Sequence, residues 1–172
     1  MKRLLSVTAL SLFAGIASAQ VAPAWEVSGG YRFVRGFDPC CSNANGFSAA
    51  VQENKNSWFG GVFDVGASFQ NNGPVRQQLF TYMFGPEFTY RKSSRLQPFA
   101  RALIGGARYS ITNGANDTNL AFGGGAGIDV RMTSSFYFRA NADFVRTAFF
   151  GQVQKYAQAS VGVVYRIGST ER

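Results

Sequence analysis

From Gln77 to Arg91 the chain alternates without a break. Phe80, Tyr82, Phe84, Pro86, Phe88 and Tyr90 take one phase; Thr81, Met83, Gly85, Glu87, Thr89 and Arg91 take the other. Side chains of a strand point alternately to its two faces, so this stretch is one long strand with an apolar face and a mostly polar one. Strands of globular proteins run to about 5–6 residues, whereas a tilted strand that crosses a bilayer needs about 9–11. Aromatic side chains at both ends of the apolar face suit rings seated at the two membrane interfaces.

The same period recurs along the chain. Strands are expected over Trp25–Phe37, Gly46–Gln52, Ser57–Phe69, Gln77–Arg91, Arg95–Ile111, Leu120–Met132, Ser135–Arg146 and Lys155–Ile167. Turn-forming or polar stretches divide them: Asp38–Asn45, Glu53–Asn56, Asn71-Asn72-Gly73-Pro74, Lys92-Ser93-Ser94, Asn113–Asn119, Thr133-Ser134 and Phe149–Gln154. Eight strands, with short turns at one end and longer connections at the other, imply an all-β fold, an eight-stranded antiparallel up-and-down transmembrane β-barrel. Side chains can fill the interior of a barrel that size. Two aromatic girdles are expected outside it. Trp25, Phe59, Phe88, Tyr90, Phe136 and Tyr165 lie near one level, and Phe37, Phe69, Phe80, Phe122 and Phe149 near the other. A soluble barrel would turn its apolar face inward instead.

The chain starts as an exported protein starts. Lys2 and Arg3 precede the apolar run Leu4–Ile16, and Ala17-Ser18-Ala19 offers a cleavage site. Residues 1–19 are therefore read as a signal peptide, cleaved on export, and residues 20–172 as one barrel domain. No later run of about eighteen apolar residues exists, which excludes a helical membrane protein. The formal charge of +8 includes Lys2 and Arg3, so the chain after Ala19 carries +6. An exported chain rarely meets nucleic acid, so anionic lipid head groups are the expected partner of that excess.

Eight charged residues keep to the polar phase of their strands. Glu26, Arg32, Asp64, Glu87, Asp129, Arg139, Asp143 and Arg166 all do so. Arg101 shares its phase with Phe99 and Leu103, but a lipid-facing Arg costs about 2–4 kcal/mol at mid-bilayer. Arg101 is therefore expected inside, beside Glu87 and Asp129. Glu87, Arg101, Asp129 and Arg139 would form a belt, Arg166 and Glu26 would meet at the closing seam, and Arg32 would face Asp64. Alternating signs let buried charges pair, and the lumen reads as plugged by an ion-pair network. A partner switch within a pair such as Glu87–Arg101 would instead gate a narrow path.

With these residues in view, the chain resembles the outer-membrane β-barrel families typified by the transmembrane domain of outer-membrane protein A. The segment Phe84-Gly85-Pro86-Glu87, with Tyr90-Arg91 and Pro98-Phe99-Ala100, is similar to the core of a small-barrel family. Ser160, Gly162, Tyr165 and Ile167 resemble the assembly signal read by the barrel insertion machinery, with Ile167 where a terminal aromatic is usual. The resemblance implies an outer-membrane location and lipid partners that include lipopolysaccharide. External ligands would be met through the loops. A peptidoglycan-binding domain is not expected within these residues, so a cell-wall anchoring role is not expected to carry over.

Catalysis has little to work with. The chain has no His, and its Ser and Asp residues suggest no base-activated nucleophile. Cys40 and Cys41 are too few for a zinc site; in an exported loop they read as a disulfide staple or an intermolecular bond. Gly123–Gly127 has no following helix and reads as close packing rather than a phosphate loop. No enzyme activity, cofactor or metal is expected. The readings are a structural or surface-interacting membrane barrel, a narrow channel for ions or small solutes, and a soluble periplasmic ligand-binding barrel.

Overall fold

Strands with one apolar phase must hide unpaired edges from lipid, and closing the sheet removes those edges. The computed structural model describes residues 22–36, 43–72, 75–112, 114 and 116–170. Its strands are β1 (Trp25–Gly36), β2 (Ala44–Asn54), β3 (Phe59–Asn72), β4 (Val75–Thr89), β5 (Leu96–Ile111), β6 (Asn116–Arg131), β7 (Phe136–Phe149) and β8 (Gln152–Ile167). Each pairs antiparallel with its neighbours, and β8 pairs back onto β1. The barrel is closed.

The register sets its shape. From Phe99 on β5, paired residues run through Gly127, Asn141, Ser160, Arg32, Gly46, Ser68 and Leu79, returning to β5 at Tyr109. The stagger is thus 109 − 99 = 10 residues for eight strands. That combination tilts the strands by about 40°. Each residue then climbs about 2.5 Å along the axis, and ten residues cover the roughly 25 Å apolar band of an outer-membrane barrel.

The two ends of the barrel differ. One, the termini end, carries the connections β2–β3, β4–β5 and β6–β7 together with residues 22–24 and 168–170. The loop end carries the rest, and there several strands outrun the sequence expectation. β3 reaches Asn72, β6 starts at Asn116, and β7 and β8 continue until Phe149 pairs with Gln152. Ladder hydrogen bonds satisfy backbone groups whatever the side chains, so polar residues above the apolar band still form strand. Between β7 and β8 only Phe150 and Gly151 remain, with φ of 51° and 75°. These are the two left-handed positions of a type I′ hairpin turn. The Phe150 N–H donates to the Asp117 carboxylate at 2.6 Å, tying this turn to β6.

Faces follow the expected phases. Phe63, Phe84 and Phe144 look outward and are about half exposed, whereas Glu87 and Asp129 are fully buried inside. The aromatic pairs Phe59–Phe88 (5.3 Å between ring centroids) and Phe136–Tyr165 (4.9 Å) lie at the termini end. Trp58 shares the even-numbered phase of the inward Asp64, yet it lies exposed in the turn before β3 and stacks on Phe88. Phe149 does not join the other girdle; it points into the barrel and is 1% exposed, because odd-numbered residues of β7 face inward. Apolar outside and charged inside is the arrangement of a membrane barrel, the reverse of a soluble one. Among the described residues no helix is long and apolar enough to cross a membrane. Residues 1–19, Phe37, Cys40 and Cys41 lie outside the described residues.

Candidate functional site in the lumen

Inward phases of all eight strands meet on the barrel axis, and their side chains sort by height. In the half nearer the termini end they are charged. Glu26 on β1 is met by the Nη2 of Arg91, by Arg139 Nη2 at 3.3 Å and by Arg166 Nε at 3.4 Å. Asn54 adds a donated bond to Glu26 at 3.1 Å. Asp129 on β6 accepts two bonds from Arg139, at 2.7 and 2.8 Å, and one from Arg166 at 2.9 Å. Two-pronged pairing of this kind fixes orientation as well as charge. Aromatic faces complete the contacts, with Arg139 4.4 Å from the Phe99 ring centroid and Arg166 3.5 Å from that of Tyr137.

Nearer mid-barrel, Arg101 on β5 donates two bonds to Asp143 on β7, at 2.8 and 2.7 Å, and lies 3.3 Å from Asp64 on β3. Arg32 donates to Asp64 and, at 2.9 Å, to Thr81. Gly66 makes room for it: a Cβ there would stand 1.9 Å from the Arg32 guanidinium. Glu87 is the least satisfied carboxylate. Neither of its oxygens has a hydrogen bond, and Arg139 lies 3.5 Å away.

Among the described residues, five carboxylates (Glu26, Asp64, Glu87, Asp129, Asp143) thus face five guanidiniums (Arg32, Arg91, Arg101, Arg139, Arg166). With every group ionised the formal sum is zero. Arg166 meets Glu26, and Arg32 meets Asp64. Glu87 and Arg101 are opposite in the β4–β5 register, yet the Arg101 guanidinium turns to Asp143 and Asp64, where it gains three contacts. Sequence reasoning missed Arg91, although it shares the phase of Glu87 one short stretch earlier. Among the described residues no group of three or more acidic, Cys or His side chains is placed to hold a metal ion.

Nearer the loop end an apolar cluster fills much of the interior, beside the buried polar side chains of Ser68, Thr147 and Gln154. Val34, Met83, Leu103, Ala107, Ala121, Val145, Phe149 and Tyr156 form one buried cluster, with Leu79 and Tyr109 packed on it. This cluster was also missed, though Met83, Leu103 and Val145 share phases with Glu87, Arg101 and Asp143. Leu103 and Phe99 lie inside with Arg101, one joining the apolar cluster and the other covering Arg139. Among the described residues, cavities of about 20 Å³ interrupt the filling, one among Ser28, Ser48, Asp64 and Asn141, another near Gln70, Gln77 and Tyr109. Each is about the size of one water.

The C-terminal residues sit on the closing strand. Ser160 faces the lumen, while Tyr165 and Ile167 face outward. Gly162 pairs with Gly30 of β1 so closely that a Cβ would meet the Gly29 carbonyl at 2.3 Å.

Closure, faces and stagger define a class, the small eight-stranded outer-membrane β-barrel. Solved structures of that class superpose on the chain. Neisserial surface protein A does so with a TM-score of 0.68 at 14% identity, covering 84% of this chain and 97% of its own. Ail, the attachment invasion locus protein of Yersinia pestis, gives 0.59 at 16% identity, covering 85% and 99%; it has also been solved with the heparin analogue sucrose octasulfate. The N-terminal β-barrel domain of Pseudomonas aeruginosa OprF gives 0.56 at 14% identity, covering 85% and 100%. At such identities the likeness is one of fold. No protein-family model matches the chain, and no curated protein matches it in sequence.

Proposed function

We propose that this chain is a non-catalytic outer-membrane protein whose barrel is a closed scaffold presenting its loop end to the cell exterior. The observation that carries this reading is the filled lumen. A solute crossing it would have to break the paired charges around Arg139 and then pass the apolar cluster from Leu103 to Phe149. Buried charges resist losing their partners by several kcal/mol each, and an apolar constriction excludes water. Export would remove residues 1–19, and insertion would use Ser160, Gly162, Tyr165 and Ile167 as the signal for the barrel insertion machinery. The termini end then faces the periplasm. External ligands would be met through the loops, Cys40 and Cys41 stiffening the first of them, and no nucleic acid is involved.

Two assays test this reading together. The protein should fractionate with the outer membrane and shift on a gel only when boiled. Liposomes holding it should not swell in small sugars or amino acids. Swelling would replace the scaffold with a channel; soluble periplasmic protein would remove the membrane role.

A further inference from the structure

Beyond the membrane rim the outward face of a barrel meets water, and on most strands here it turns polar, at Gln78 on β4, Ser110 on β5 and Thr118 on β6. One sector does not. On β7 and β8, Arg146 is the register partner of Lys155, and the next outward pair is Ala148 with Val153, about 5 Å farther from the membrane. Leu120 of β6 adjoins that pair, because its neighbour Ala121 pairs with Thr147. Phe150 follows at the hairpin tip. Leu120, Phe150 and Val153 are each half exposed or more. Lipid covers apolar side chains below the rim. These stand at the rim or beyond it, where an exposed apolar patch marks an interaction surface.

The tip is held rigid. Phe150 keeps a φ of 51°, a left-handed conformation that bulky residues rarely adopt and that Gly or Asn takes at less cost. Its N–H is fixed by Asp117 at 2.6 Å. Its ring stands edge-on to Tyr109 at 6.5 Å between centroids, and Tyr109 packs in turn on the buried Phe149 at 5.6 Å. A side chain already ordered loses little entropy on binding.

Charge narrows the partner. Among the described residues the loop end carries Arg35, Arg76, Arg108, Arg146 and Lys155 against one carboxylate, that of Asp117. Asp117 already accepts bonds from the N–H groups of Phe150 and Thr118 and from the Asn119 amide, and Lys155 is engaged within the chain. The sign of the surface is therefore set by arginines. Apolar side chains bordered by arginine have the make-up of a protein–protein interface, and aliphatic groups such as Leu120 and Val153 offer a sugar chain no hydrogen bonds.

We propose that Leu120, Ala148, Phe150 and Val153 dock an acidic protein segment outside the cell, its apolar side chains on the patch and its carboxylates toward Arg108 and Arg146. This rests on the outer-membrane reading above, with the loop end outward.

The test uses the full barrel in phosphatidylcholine nanodiscs, titrated with short fluorescein-labelled peptides and read by fluorescence anisotropy. A peptide alternating Glu with Leu should bind at least about tenfold more tightly than one alternating Lys with Leu or Glu with Ser, and should ignore empty nanodiscs. The variant Phe150→Asn/Val153→Thr should weaken it at least about tenfold and still shift on a heat-modifiability gel, since Asn accepts left-handed backbone. Should that variant lose its heat shift, Val153→Thr alone should weaken binding about threefold. Arg108→Gln/Arg146→Gln should weaken it about tenfold at low salt and less as salt rises. The matching change at the termini end, Arg95→Gln/Arg131→Gln, should alter it less than about threefold. Binding unchanged by Phe150→Asn/Val153→Thr, or equal for the Glu–Leu and Lys–Leu peptides, would overturn the docking surface. Self-association in detergent that the same variant abolishes would assign the patch to a second copy of the chain and overturn the acidic partner. Loss of the heat shift in the unmutated protein would instead sink the membrane reading itself.

Discussion

The two halves of the lumen are built on the same strands and closed by different physics. Near the termini end, Arg139 alone touches Glu26, Glu87 and Asp129, so removing one side chain strands several charges. Near the loop end, Met83, Leu103 and Val145 contribute through packing, and each loss is local. Charge pairing specifies which strand faces which, because Arg101 on β5 finds Asp143 on β7 only in one arrangement of the strands. Apolar packing is tolerant of register but keeps water out. A barrel with only the first would be wet inside, and one with only the second would have little to fix its strand order from within.

Substitutions that separate these roles can be ranked. Arg139→Leu should destabilise most, by about 3–5 kcal/mol in urea unfolding from lipid vesicles, since it leaves buried carboxylates uncompensated. Leu103→Ala should cost less, about 2–4 kcal/mol, as a buried methyl cluster is exchanged for a cavity. The pair Arg32→Met/Asp64→Leu should lie within about 1 kcal/mol of the parent, because replacing both partners of a buried pair by apolar groups is often neutral and Arg101, which loses its contact with Asp64, keeps its two bonds to Asp143. The single change Asp64→Leu, which leaves Arg32 with Thr81 alone, should be clearly worse than the pair. Smallest of all, raising salt severalfold from about 0.1 M should leave the unfolding midpoint almost unmoved, since buried pairs are weakly screened. A large salt effect would mean that solvent reaches the lumen charges and that the halves are less distinct than their packing implies.

Most of the barrel was legible from alternation, because side-chain period and lipid exposure state the same fact twice. The charged half was legible for the same reason: Glu26, Asp64, Glu87, Asp129, Asp143 and their arginine partners all keep to one phase per strand. Individual pairings were less so. Register brings Glu87 opposite Arg101, but a long guanidinium reaches past its nearest neighbour to better acceptors, and a one-dimensional pattern carries no such reach. The apolar half was hidden because an inward Met83 or Tyr156 reads like a lipid-facing residue out of phase. The loop end was hidden too, since Asn116 and Gln152 look like loop residues yet belong to ladder-bonded strands.

Planar-bilayer recording of the purified, heat-modifiable barrel tests the closed lumen most directly. With the apolar half intact, the membrane current should stay at the level of protein-free bilayers across the applied voltages. Regular, reproducible conductance steps from the unmutated protein, abolished by boiling, would contradict the account and require a water path past Leu103, Phe149 and Tyr156.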